Sequence, residues 1–130
     1  MSNQALIEVV DDDQDIRRML QLVLEARGFK VRTHDGPHAY LAAEPVTERR
    51  VMLLDVRMPK MTGVELQAQM VKAGDHVPVI FMSGESLPHE TLAAQQSNAV
   101  SFLWKPFRTE ELLAAVSKGL ARYDQLSVDE

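Results

Sequence analysis

The sequence predicts one α/β domain built on a doubly wound parallel sheet. Short apolar runs alternate five times with amphipathic segments, and several of these runs carry apolar residues at consecutive positions. Unbroken apolar character is typical of parallel strands, because helices cover them on both faces. The length of 130 residues and the hydrophobic content of 45% suit a single core. Five strand–helix repeats with short connections therefore predict an open sheet between two layers of helices.

The five apolar runs are the predicted strands. The third and fourth runs are almost entirely apolar, as strands buried on both faces require. Pro78 is expected at the start of the fourth strand, where a missing N–H costs least. In chain order, the predicted strands are Ala5–Val10, Phe29–His34, Val51–Asp55, Val77–Met82 and Val100–Trp104.

The segments between the strands predict five helices. Apolar residues of the first helix recur at the spacing of one helix face, and Gly28 follows where a left-handed residue ends a helix at low cost. Asn98 is expected to end the fourth helix in the same way. Thr109 is the predicted N-cap of the last helix, and Glu110 and Glu111 suit its positive dipole end. The predicted ranges are about 16–24, Pro37–Glu44, Gly63–Lys72, Leu87–Gln96 and Thr109–Tyr123.

Composition excludes several classes of function. The net charge of −5 argues against direct binding to nucleic acid, which needs a basic surface. The chain has no cysteine for disulfides, thiolate metal sites or nucleophiles, and its four histidines lack zinc-ligand spacing. No signal peptide is readable, and no apolar run approaches the roughly 20 residues that span a bilayer. We therefore expect a cytoplasmic protein that binds neither nucleic acid nor membrane.

Polar side chains with complementary chemistry end four of the predicted strands. Asp11 and Asp12 follow the first strand, Asp55 the third, Ser83 the fourth and Lys105 the fifth. These groups converge if the strands are neighbours, because ligands bind at the carboxyl edge of such sheets. Clustered carboxylates repel unless a cation intervenes, and an oxygen-only cluster suits Mg²⁺. With a lysine and a hydroxyl to hold phosphoryl oxygens, the residues suggest Mg²⁺-assisted phosphoryl transfer onto a carboxylate.

Each of these residues also has an ordinary structural interpretation. Asp13 is explained equally well as a helix N-cap, and a strand-terminal aspartate such as Asp55 is more often a turn residue than a nucleophile. Ser83 with Gly84 is common in loops, and a lone lysine is usually solvated. The joint occurrence favours the functional interpretation, because all of these groups lie at the carboxyl ends of different strands.

Five short motifs carry a family resemblance. They are Val9–Asp13, Leu54–Pro59, Gly63–Leu66, Met82–Gly84 and Phe102–Phe107. In this order and spacing they resemble the receiver domains of two-component response regulators over nearly the whole chain. The segment after Asp55 is most similar to regulators of the nitrogen-fixation type. The resemblance implies a flavodoxin-like (βα)₅ fold with strand order 2-1-3-4-5, a receiver domain over residues 1–123, and a tail or the start of a linker over residues 124–130.

The resemblance also implies a role for each site residue. Asp55 would accept a phosphoryl group from a histidine kinase or a histidine phosphotransfer protein. Asp11, Asp12, Asp55 and the backbone carbonyl of Arg57 would hold Mg²⁺, with Mn²⁺ as the alternative. By the same resemblance the chain is a signalling switch that supports its own phosphorylation and dephosphorylation, not a turnover enzyme.

Three further positions complete the implied switch. Lys105 would pair with the phosphoryl oxygens, and Ser83 would donate a hydrogen bond to one of them. Phe102 matches an aromatic that turns inward as the Ser83 hydroxyl moves, and the Lys105–Pro106 peptide bond is expected to be cis. The output surface would be the fourth helix, fifth strand and fifth helix, acting on a DNA-binding output domain outside this chain or on a second copy in a homodimer.

Arg57 and Glu85 each lie two residues after a site residue and carry opposite charges. We hypothesise that they pair across the mouth of the site and shield the acyl phosphate from water, the alternative being two solvated side chains.

Two other classes of function use a similar sheet. A Mg²⁺ phosphatase would carry a second acid two residues after the nucleophile, where Arg57 stands. A flavin-binding module would need a phosphate-cradling loop after the first strand, where the acidic triplet Asp11–Asp13 would repel phosphate.

Overall fold

The computed structural model describes residues 5–84 and 88–128. Five parallel strands form one sheet: β1 (Leu6–Val10), β2 (Lys30–His34), β3 (Arg50–Asp55), β4 (Val79–Ser83) and β5 (Ser101–Trp104). The helices between and after them are α1 (Gln14–Glu25), α2 (Pro37–Ala42), α3 (Gly63–Lys72), α4 (Pro88–Gln96) and α5 (Thr109–Val128). The strand order is β2-β1-β3-β4-β5, which confirms the flavodoxin-like architecture.

The sheet separates two apolar layers because side chains alternate along each strand. On β1, Ile7 and Val9 join the layer that α1 and α5 cover, whereas Val10 joins the layer beneath α2, α3 and α4. The middle strands β1, β3 and β4 are buried along nearly their whole length, as the unbroken apolar runs predicted. Pro78 directly precedes β4, so its missing N–H removes no hydrogen bond from the ladder.

The first helix is bounded as its residues suggest. Asp13 Oδ1 accepts hydrogen bonds from the N–H groups of Asp15 (2.8 Å) and Ile16 (3.3 Å), so Asp13 is the N-cap of α1. Gly28 has φ of 90° after the helix ends, which confirms the left-handed conformation predicted there.

Two predicted caps are wrong. Asn98 is not left-handed: within the described ranges Lys60 is the one non-glycine residue with positive φ. Ser97 instead closes the end of α4 on the carbonyl of Ala94, with its N–H at 3.3 Å and its hydroxyl at 2.6 Å. Thr109 is inside α5, and Arg108 precedes the helix. The Arg108 N–H donates to the Glu111 carboxylate at 2.9 Å, which supplies the capping interaction.

The last helix is longer than predicted and continues past Tyr123 to Val128. The Arg49 guanidinium donates two hydrogen bonds of 2.8 Å to the Asp124 carboxylate, and the Tyr123 hydroxyl approaches the carbonyl of Glu48 at 3.4 Å. The segment before β3 therefore holds the extra turn in place. None of the helices in the part of the chain that the structure describes has the length and apolar character of a membrane span.

The fourth helix buries little of its surface among the described residues. Ala94 is its one buried side chain among the described residues, and Leu92 is 54% exposed. Leu87, which was predicted to begin this helix, lies outside the described residues. A helix without an apolar face depends on few contacts for its position.

Candidate functional site

The fold brings the predicted polar residues together at the carboxyl edge of the sheet. Asp11 directly follows β1, Asp55 ends β3, Ser83 ends β4 and Lys105 follows β5. Their strands are neighbours in the order β1-β3-β4-β5. They line one cleft of about 740 Å³, together with Asp12, Asp13, Arg57, Met58, Pro59 and Gly84.

Three carboxylates form the acidic part of this cleft. One oxygen from each of Asp11, Asp12 and Asp55 lies within 4.8 Å of the others. Asp11 and Asp55 are buried, whereas Asp12 is exposed to solvent. The donor set is all oxygen and open on the solvent side, which suits a hard divalent cation that keeps some of its waters. The cluster could therefore hold a metal ion.

Asp11 is held rigidly by its neighbours. Its Oδ1 accepts a hydrogen bond from the Asp13 N–H at 2.9 Å, and its Oδ2 accepts one from Lys105 Nζ at 2.7 Å. Its backbone N–H donates to the carbonyl of His34 at 3.2 Å. Arg17 Nη1 donates to the carbonyl of Asp11 at 2.9 Å, a contact that sequence reasoning missed. The one available signal was the position of Arg17 in the first turns of α1, directly after the acidic triplet.

Lys105 links two of the carboxylates. Besides its bond to Asp11, its Nζ lies 3.5 Å from Asp55 Oδ1. Burial favours the neutral amine, but the hydrogen bond to Asp11 and the charge of Asp55 outweigh that effect and raise the pKa of Lys105. The Lys105–Pro106 bond is cis, as predicted, and the Lys105 N–H donates to the carbonyl of Ser83 at 2.9 Å. The side chain is therefore a fixed cation beside the cluster.

The carboxyl of Asp55 has a strongly raised pKa. Burial, followed by the negative charge of Asp11, raises the pKa of the Asp55 carboxyl to about 7, although Lys105 opposes the shift. Because this pKa lies near neutral pH, an added positive charge nearby would change the fraction of Asp55 that is ionised. A cation among the three carboxylates would favour the ionised form of Asp55.

Of the remaining predicted residues, Ser83 and Arg57 line the cleft, whereas Phe102 does not. Ser83 is fully buried at the end of β4. Phe102 is partly buried, and its ring packs at 4.7 Å from that of Trp104. Arg57 lines the cleft, and its guanidinium lies 3.7 Å from Glu90 on α4. Glu85, the partner proposed for Arg57 from the sequence, lies outside the described residues, so that pairing stays a prediction.

Gly63 is required by the close approach of two backbone segments. Its N–H donates to the carbonyl of Val56 at 2.8 Å, and a Cβ at this position would overlap the carbonyl oxygen of Asp55. We expect Gly63→Ala to destabilise the protein by about 1–3 kcal/mol, because the backbone of the phosphoacceptor candidate must shift. Urea unfolding measures this cost. Gly36→Ala is the control, since a Cβ there meets nothing within 4 Å. Equal effects of the two substitutions would contradict the prediction.

Comparison with known proteins is consistent across sequence and structure. The family model described as "Response regulator receiver domain" matches residues 7–117. The response regulator protein TodT of Pseudomonas putida F1 is 34% identical over 121 residues, which cover 92% of this chain and 53% of that protein. The transcriptional regulatory protein FixJ of Azorhizobium caulinodans is 35% identical over 116 residues, which cover 89% of this chain and 55% of that protein.

A solved structure described as FixJ-N has the same fold. It superposes with a TM-score of 0.82 at 30% identity, covering 93% of this chain and 96% of that chain. The chain thus spans about half the length of the curated relatives it matches, and nearly all of this shorter structure.

Proposed function

The chain belongs to the family of response regulator receiver domains, and from that premise we propose that Asp55 accepts a phosphoryl group from a histidine kinase or histidine phosphotransfer protein. The convergence of Asp11, Asp12 and Asp55 within 4.8 Å, beside the fixed cation of Lys105, carries the proposal. A carboxylate nucleophile next to a cation site and a lysine is the arrangement that phosphoryl transfer to an aspartate needs.

In the proposed reaction, a carboxylate oxygen of Asp55 bonds to phosphorus while the phosphorus–nitrogen bond of the donor phosphohistidine breaks. The electron pair of that bond returns to the imidazole nitrogen. Mg²⁺, or Mn²⁺ in its place, would be held by Asp11, Asp12, Asp55 and the carbonyl of Arg57, and would neutralise charge on the phosphoryl oxygens. Lys105 favours the ionised form of the nucleophile and would offer its ammonium to one phosphoryl oxygen.

Ser83 and Phe102 would transmit the modification of Asp55 to the surface of the domain. The Ser83 hydroxyl would donate to a phosphoryl oxygen once Asp55 is modified, and Phe102 would turn inward as the hydroxyl moves. Phe102 already packs partly against the layer beneath α4 and borders the exposed ring of Trp104. A rearrangement here would alter the surface formed by α4, β5 and α5.

We further propose that the receiver module covers residues 1–123 and that residues 124–130 begin a connection to an output domain. The family match at residues 7–117 lies within that module, and α5 continues as helix to Val128. The relatives are about twice as long as the matched region and include a transcriptional regulatory protein, which favours an additional, DNA-binding domain. Dimerisation on phosphorylation is a further part of the proposal. The module would act as a switch that supports its own phosphorylation and dephosphorylation, not as a turnover enzyme.

Incubation with acetyl phosphate and Mg²⁺, followed by intact-mass measurement, tests the phosphoacceptor. The unchanged protein is expected to gain one phosphoryl group, and chelation of the metal is expected to abolish the gain. Asp55→Asn is expected to gain none, because the nucleophilic carboxylate is absent. Glu48→Gln is the control, because it also converts an acid to an amide, and Glu48, whose side chain is 40% exposed, does not line the cleft. Modification of Asp55→Asn to the same extent, or no modification of the parent under any donor and metal, would refute the assignment.

A further inference from the structure

An ion pair connects the loop after Asp55 to the fourth helix. Arg57 Nη1 lies 3.7 Å from Glu90 Oε1, and their side chains are 54% and 14% exposed. Arg57 lines the acidic cleft, whereas Glu90 is in the first turn of α4. One guanidinium therefore extends from the proposed phosphorylation site to a helix of the proposed output surface.

The helix at the other end of this pair has little apolar burial among its described residues. Ala94 is the one buried side chain of α4 among the described residues, and Leu92 is largely exposed. When a helix gains little from apolar burial, charge interactions are a large share of what positions it. The Arg57–Glu90 pair is thus placed to influence where α4 lies.

We propose that Arg57 moves from Glu90 to the phosphoryl group when Asp55 is modified, and that the lost pair releases the first turn of α4. The inference rests on the proposed function. The phosphoryl group carries a charge of about −1.5 to −2 and replaces the single charge of the Asp55 carboxylate, two residues from Arg57. It also offers oxygens that a guanidinium binds in bidentate fashion, whereas the distance to Glu90 exceeds that of a hydrogen bond.

The position of Glu90 in the helix favours its release from Arg57. A carboxylate in the first turn of a helix interacts favourably with the positive end of the helix dipole. Glu90 therefore keeps a favourable interaction at the start of α4 when Arg57 leaves. The Arg57 guanidinium exchanges the Glu90 carboxylate for the phosphoryl group, which carries a higher negative charge.

Thermodynamic reciprocity provides a sharp test. If Glu90 competes with the phosphoryl group for Arg57, replacing Glu90 must strengthen phosphoryl binding at the site. By reciprocity, the factor equals the one by which phosphoryl binding weakens the Arg57–Glu90 pair. Removal of Arg57 must weaken that binding. Replacing Glu90 and replacing Arg57 should therefore have the same effect on α4 but opposite effects on phosphoryl binding at the site. A purely structural ion pair would not produce this opposition.

The experiment uses beryllofluoride with Mg²⁺ as the phosphoryl probe and hydrogen exchange of residues 88–96 as the readout of α4. In the probe-free protein, Glu90→Gln and Arg57→Gln are both expected to speed exchange about two- to fivefold, the range that one ion pair with an exposed guanidinium supports. Glu90→Gln is expected to tighten beryllofluoride binding by a similar factor, and Arg57→Gln to weaken it. Glu110→Gln is the control, because it removes a first-turn acid from α5.

Unchanged α4 exchange in Glu90→Gln, or beryllofluoride affinities that change in the same direction in both variants, would overturn the inference. Failure of the unchanged protein to bind beryllofluoride would be a different result and would refute the proposed function itself.

Discussion

Asp55→Asn is expected to stabilise the metal-free protein by about 2–4 kcal/mol at about pH 8, although it removes the proposed phosphoacceptor. The Asp55 carboxyl is buried, and its pKa is raised from 3.8 to about 7 by that burial and by the charge of Asp11. At high pH the folded protein must hold an unfavourable negative charge that the unfolded chain carries without cost. Asparagine has the same shape and no charge, so the variant avoids that cost.

The sign of the pH dependence follows from the direction of this shift. Below pH 3.8 the carboxyl is neutral in both the folded and unfolded states, so parent and variant should have similar stability. Between there and about pH 7 the unfolded state ionises first, and the parent loses stability relative to the variant. Above that range the difference should be constant.

Urea unfolding with a chelator present, at about pH 4 and about pH 8, measures this difference. Asp13→Asn serves as the control, because Asp13 is an exposed N-cap that asparagine replaces well. A parent that is as stable as Asp55→Asn at the higher pH, or a difference that is independent of pH, would contradict the prediction.

Glu8→Gln is expected to cost about 3–5 kcal/mol of stability at neutral pH, because it leaves buried cations without their counter-charge. The Glu8 carboxylate is fully buried. It accepts two hydrogen bonds of 2.7 Å from Arg32 and contacts His34 Nε2 at 2.8 Å, with Arg50 at 3.4 Å. This network lies beneath α2, in the same layer as Tyr40.

The loss should also depend on pH. Burial by itself would raise the pKa of Glu8, but the hydrogen bonds from His34 and Arg32 hold the pKa below the ordinary value of 4.5. A carboxylate with a lowered pKa contributes its full stabilisation above 4.5 and loses it as the pH falls through the folded-state pKa. The difference between the parent and Glu8→Gln should therefore shrink in acid.

Denaturant unfolding of Glu8→Gln and Glu48→Gln provides the comparison. Glu48 pairs with Lys30 at 3.1 Å, but the two side chains are 40% and 57% exposed, so its loss should cost about 0–1 kcal/mol. If the two substitutions cost the same amount, the buried network does not have the energetic role assigned to it.

Periodicity predicted the elements of the fold, whereas the family resemblance implied the strand order and the role of each site residue. The apolar runs predicted β1 to β5 to within two residues at each end, because covered parallel strands have no polar face. Parallel topology then placed Asp11, Asp55, Ser83 and Lys105 at one edge, because every strand ends there. The helix starts were less predictable, since the cap of α5 depends on a side chain from Glu111.

Other features depended on partners that are distant in the sequence. Glu8 meets Arg32 and Arg50 from two neighbouring strands, and Arg49 extends α5 by binding Asp124. Arg57 pairs with Glu90 across the space between a loop and α4. A hydrophobic pattern indicates which face of an element is covered, but it does not indicate which charged side chains contact each other.

The sequence by itself therefore determined the order of strands and helices, the edge at which the site forms and the residues that compose it. Only the tertiary structure decided the partners of the charged side chains, the length of α5 and the raised pKa of Asp55. The physical reason is that burial patterns repeat along the chain, whereas electrostatic interactions depend on distances between segments that only packing sets.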